Sequence, residues 1–172
     1  MSAFHTYYYR HLVAIHDNLR RELRSVRKTL PTVTQPIAIR TVCMHVLQFC
    51  DHLEGHHDLE EAVIFPSFKL VTDISHWDHS HKSLFSTLDR CRALAKEGIK
   101  TVNSSNKNIV GEDSSQALFE KNLKQPLMEQ LENLSDIVLP HLTDEEVLSH
   151  PDETIKFWPT ERDMRRAFPW MR

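Results

Sequence analysis

Read at the alternating spacing of four and three residues that keeps side chains on one face of an α-helix, Val42, Val46, Phe49, Leu53, His56, Glu60 and Val63 form one stripe. It is apolar except at His56 and Glu60. A stripe of this kind is buried against other elements, and a carboxylate buried without a partner is very costly. Something inside the protein must neutralise these two groups, and a metal ion does so with the fewest additional parts. The surrounding run, His52 to Pro66, holds three His and three Glu within ten residues. His52 lies one turn before His56, and Glu61 one turn after His57. Pro66 is expected to end or kink the helix.

Three further segments carry the same kind of stripe. A first helix is expected over about 2–29, with Tyr9, Leu12, His16, Leu19, Leu23, Val26 and Leu30 on one face and Arg and Glu on the other. The second, over about 37–65, carries the stretch already described. The third, about 74–96 and ending near Gly98, presents Ile74, Trp77, His81, Leu84, Leu88, Cys91 and Ala95. The fourth, about 115–148, presents Leu127, Leu131, Leu134, Val138, His141, Glu145 and Leu148, with kinks expected at Pro126 and Pro140. Residues 99–114, rich in Asn and Ser, read as a polar surface loop. The predicted fold is all-α: an up-down antiparallel four-helix bundle over 1–148. An extended tail, 149–172, contains Pro and the aromatics Phe157, Trp158, Phe168 and Trp170 and is expected to pack on the bundle. Its Thr160 to Asp163 run resembles a helix start.

Composition narrows the function classes. With 40% hydrophobic residues and only three Gly in 172, a compact helical protein is favoured over a sheet. A net charge of −3 leaves no basic footprint for nucleic acid. No apolar run approaches the ~20 residues needed to span a bilayer, and the first residues lack the apolar core of a secretion signal. Cys43, Cys50 and Cys91 sit in helical patterns and read as reduced thiols, so a cytoplasmic location is expected. His5, His11, His45 and His150 read as surface or helix-end residues.

In a bundle the four stripes face each other. Their interruptions, His16, His56 with Glu60, His81, and His141 with Glu145, then converge in one core. Four imidazoles and two carboxylates exceed the needs of one tetrahedral zinc. They suit two ions bridged by carboxylates, of iron or manganese. The expected division places His16 and His56 on one metal and His81 and His141 on the other, with Glu60 and Glu145 between them. His52, His57, Glu61 and Trp77 flank the site as candidates for a further ligand or for hydrogen-bond partners of the ligands. A ferritin-like site requires Glu-x-x-His on two helices; this chain has one such spacing, Glu54 to His57, off the main stripe.

The motifs Ile15-His16-Asp17-Asn18-Leu19-Arg20, His56-His57-Asp58-Leu59-Glu60-Glu61 followed by Phe65-Pro66, His81, and His141-Leu142-Thr143-Asp144-Glu145 together resemble the hemerythrin-like (HHE) family over about Phe4 to Leu148. The resemblance implies a four-helix bundle with a non-haem di-iron centre, two iron ions per chain. It also implies a role among reversible oxygen carriers, oxygen or iron sensors, and proteins that handle iron, peroxide or nitric oxide. The oxygen-carrying pattern has a fifth His one turn before the position matching His81, and here that position is Trp77. The departure implies an extra open position beside Trp77, favouring exogenous ligands and redox chemistry, unless His52, His57, His76 or His79 fills it. The expected function is binding and activation of dioxygen or peroxide for oxidation of a small molecule, a di-iron oxidoreductase. The alternative is oxygen or iron binding, storage or sensing without catalysis.

Overall fold

Prolines set the joints of this chain. In the computed structural model, which describes residues 3–105 and 112–170, α1 (Ala3–Thr29) gives way to a 3-10 turn, Leu30–Thr32, that contains Pro31. Pro36 opens α2 (Pro36–Leu59), at the position where a missing N–H costs nothing. Pro66 and Pro126 fall inside longer helical runs, and each follows a five-residue π turn, Glu60–Ile64 and Glu120–Lys124. A proline ring clashes with the carbonyl four residues earlier, and a wider turn moves that carbonyl away. The Phe65 amide accordingly donates to the carbonyl of Glu60, five residues back. The helix therefore does not end at Pro66 but runs on as α3 (Phe65–Phe68).

After α3 come α4 (Ser75–Ser105), α5 (Glu112–Phe119) and, beyond the second π turn, α6 (Gln125–Ser149) with Pro140 inside it. The loop expected over 99–114 is thus corrected: 99–105 and 112–114 are helical, and 106–111 lie outside the described residues. Burial explains the extension. Val102, seven residues after Ala95, is buried, and Ile99 packs on the same cluster. Gly98 does not stop the helix but admits its neighbours. A Cβ there would stand 2.9 Å from Cys43 Sγ and 3.0 Å from the Phe119 ring.

Among the described residues no strand occurs, and the fold is all-α. Helices α1 and α4 each pack against both α2 and α6. No described helix is long and apolar enough to cross a membrane. Two apolar clusters result. The larger runs from Leu30 and Ala95 up to Leu53, Leu84 and Leu142. The smaller holds Tyr8, Phe65, Phe68, Trp77, Trp158 and Phe168.

The tail supplies part of the second cluster through α7 (Pro151–Phe157) and α8 (Glu161–Ala167), which contact α1. Thr160 and Asp163 form a reciprocal capping box at the start of α8. Trp158 and Phe168 are buried there, whereas Trp170 stays 42% exposed. His5 is no surface residue: it is fully buried, and its Nε2 donates to the carbonyl of Trp158 at 2.8 Å.

Candidate metal centre

Seven polar side chains lie buried in this interior: His16 from α1, His56 and His57 from α2, Glu60 at the head of the π turn, His81 from α4, and His141 and Glu145 from α6. Apolar residues press on them from both clusters; the Phe65 ring, for example, lies 4.8 Å from that of His81. Their ligand atoms form two groups, His16–His56–Glu60–Glu145 and His57–Glu60–His81–His141.

Glu60 belongs to both. Its Oε1 is 3.0 Å from His56 Nε2 and 3.8 Å from His16 Nε2, while its Oε2 lies 3.9 Å from Nε2 of both His57 and His81. Glu145 is split in the same way, with Oε2 3.6 Å from His16 Nε2 and Oε1 3.1 Å from His141 Nε2. The Nε2 atoms of His81 and His141 are 2.9 Å apart. Two nitrogens bound at ~2.0–2.1 Å and at right angles on one ion stand about 3 Å apart.

The donors are oriented from behind. His16 Nδ1 donates to Glu146 Oε1 at 2.9 Å, and Arg20 holds the same oxygen at 2.6 Å. His81 Nδ1 donates to Glu61 Oε1 at 2.8 Å. With Nδ1 carrying the proton, each Nε2 turns a lone pair inward, the arrangement by which outer hydrogen bonds fix a ligating imidazole.

The inward atoms lack partners. His16 Nε2, His56 Nε2, both nitrogens of His57, Glu60 Oε2 and both oxygens of Glu145 are buried without a hydrogen bond, which a folded protein rarely tolerates. Burial pushes the His57 imidazole down to about 2, keeping it in the neutral form a metal requires. Burial also favours protonated Glu60, but the imidazoles of His16 and His56 beside it outweigh burial and hold that carboxyl well below its usual range. Glu145 is pushed up, by burial and then by the Glu60 charge. Two carboxylates in one dry site ionise together only when cationic charge is brought to them, so the donor set fits metal ions.

The structure redraws the margin of the predicted site. His57 is fully buried and faces His81 and His141, so it joins the core of the second group rather than flanking it. The signal was the row Cys43, Cys50, His57, each seven residues apart and each fully buried. Glu61, 48% exposed, meets His81 from behind, at Nδ1. His52 is corrected: it is exposed and bonds Glu22 at 3.0 Å, away from both groups. His76 and His79 are also exposed. Trp77 is buried with its ring 5.2 Å from Phe65 and 6.5 Å from His141; indole N–H is a donor only, so it packs beside the site and ligates nothing. Glu54 pairs with Arg92, which removes the ferritin-like spacing.

Two buried, unpartnered nitrogens give His57 a testable signature. Each costs ~1–3 kcal/mol, so His57→Leu should stabilise the metal-free protein by about 2 kcal/mol, a rise in Tm of roughly 4–8 °C. It should also reduce metal binding, giving the two forms opposite responses. Thermal melts with and without chelator check this; a metal-free variant less stable than the parent would show that His57 has partners in the absence of metal.

Compared with known proteins, residues 8–146 match the model of one family, described as the Hemerythrin HHE cation binding domain. No curated protein and no solved structure matches significantly.

Proposed function

The chain belongs to the hemerythrin HHE cation-binding domain family, and from that premise we propose that it holds two iron ions, one in each group, and binds dioxygen or peroxide there. In this reading α1, α2, α4 and α6 form an up-down antiparallel four-helix bundle around the ions, and manganese is the alternative metal. The observation that carries it is Glu60, whose two oxygens address two different pairs of imidazoles. Glu145, from α6, likewise divides its oxygens, one toward His16 and the other toward His141.

Held by these imidazoles and carboxylates, iron would supply the electrons needed to bind dioxygen or peroxide. The protein supplies the rest. His57, His81 and His141 with one oxygen from each carboxylate crowd one group; His16 and His56 with the remaining oxygens leave the other less filled. That is where an exogenous ligand has room. His57 takes the place left by Trp77, so the case for an oxidase built on a missing imidazole loses its premise. The walls argue for a small ligand: no residue of either group is more than 8% exposed. Reversible binding, as in carriage or sensing, is therefore favoured over oxidation of an organic substrate.

The test is metal analysis together with the visible spectrum in air, before and after reductant. Two irons per chain with charge-transfer bands that return on re-exposure to oxygen are expected. One zinc, or no metal, overturns the reading. Irreversible bleaching with substrate-dependent oxygen consumption would move it to an oxidase.

A further inference from the structure

Every residue of the two groups is buried, so a metal reaching them must pass a protein wall. One surface feature touches that wall. A groove of about 540 Å³ runs between α4 and α6, and His141 is among its lining residues. His141 is 4% exposed; its Nε2 faces His81 and Glu145, and its Nδ1 is buried without a partner. It is the only member of the two groups that also lines this groove.

The remainder of the groove has the chemistry of a cation path. Asp136 and Asp144 line it with His79, and no Lys or Arg is among its described lining residues. His76 donates to Asp144 Oδ2 at 2.9 Å, which braces that carboxylate from one side. Pro140, inside α6, offers no N–H to the carbonyl of Asp136 four residues back. Strung along the groove rather than gathered at one point, the backbone oxygen, the carboxylates and the imidazole are each donors that a divalent cation such as Fe²⁺ or Mn²⁺ accepts in passing. A cleft lined by one sign of charge concentrates the opposite ion and raises its on-rate.

Resting on the metal-centre reading, we propose that this groove is the loading route for divalent cations: Asp136 and Asp144 capture the ion at the surface and His141 receives it into the buried centre. The two aspartates act on the rate of filling and not on the final ligand set.

The test is stopped-flow uptake of Co²⁺ by the full chain after chelation and dialysis, followed by the visible bands that imidazole and carboxylate ligation produces. Asp136→Asn/Asp144→Asn should load about tenfold more slowly than the parent, with the same final occupancy and spectrum, and added salt should narrow the difference. Asp89→Asn/Asp152→Asn makes the same charge change outside the groove and should load at the parental rate. Pro140→Ala, which restores a donor to the Asp136 carbonyl, should slow loading without altering the end point. The proposal is overturned if the groove variant loads as fast as the parent, if the control pair slows equally, or if final occupancy falls. If the parent itself acquires no imidazole-type spectrum, the metal-centre reading fails, and the groove proposal with it.

Discussion

Glu60→Gln should release both metals. The substitution keeps the shape of the side chain, yet an amide has one oxygen where the carboxylate had two. Whichever way it turns, one group of imidazoles meets an NH₂ that cannot ligate. The other keeps a neutral oxygen in place of an anionic one. Loss of even an outer partner of a metal ligand costs ~10–100-fold in affinity, and loss of a shared anionic ligand should exceed about 100-fold at each ion. Metal content should fall from two per chain to below one. Stabilisation linked to metal should vanish with it. An ion present at a hundred times its Kd contributes about 2.7 kcal/mol, so over two ions the loss is about 5 kcal/mol and Tm should drop by roughly 10–20 °C. Glu61→Gln, which disturbs only the hydrogen bond behind His81, should retain both ions at reduced affinity. Metal analysis and calorimetry with and without chelator separate these outcomes; a Glu60→Gln protein that keeps two ions would show that the carboxylate does not join the groups.

How far the sequence disclosed this arrangement depends on how wide a stripe was read. A strict four-three spacing on α2 picks out Val42, Val46, Phe49, Leu53, His56 and Glu60. The helix, however, packs against both α1 and α4, and a helix with two neighbours buries a broader face. The extra row is Cys43, Cys50 and His57, visible in the sequence as two cysteines and a histidine at intervals of seven. Proline misled in a related way. At Pro66 the sequence says that an α-helical hydrogen bond is impossible, but not that a π turn will absorb the loss and carry the helix onward. That turn begins at Glu60 itself. The polar stretch 99–105 hid its helix because, among its described side chains, the apolar contacts with the core come from Ile99 and Val102. His5 gave no signal, since its partner is a backbone carbonyl 153 residues away.

The tail offers the other large effect. Phe168→Ala should destabilise the whole protein by ~3–5 kcal/mol, lowering Tm by roughly 6–20 °C. Phe168 is fully buried. Its ring stacks on Tyr8 at 5.0 Å and meets Trp158 edge-on at 5.0 Å, with Phe68 at 6.0 Å. One ring therefore joins α1, α3 and the tail. Beside it Ser67 donates to the carbonyl of Ala167 at 2.6 Å, so α8 is held by a polar clamp as well as by packing. An emptied site would leave Tyr8 and Phe68 without their shared neighbour, and these belong to the same cluster as Phe65, which touches His81. The variant should accordingly lose bound metal to chelator faster than the parent, even where its ligands are intact. Trp170→Ala, on a ring that remains 42% exposed, should shift stability by no more than about 0.5 kcal/mol. Denaturant melts of the two variants and their rates of metal loss to chelator decide the matter. Equal midpoints would mean that the tail's aromatics rest on the helices without stabilising them, and equal rates of loss would mean that this cluster does not guard the centre.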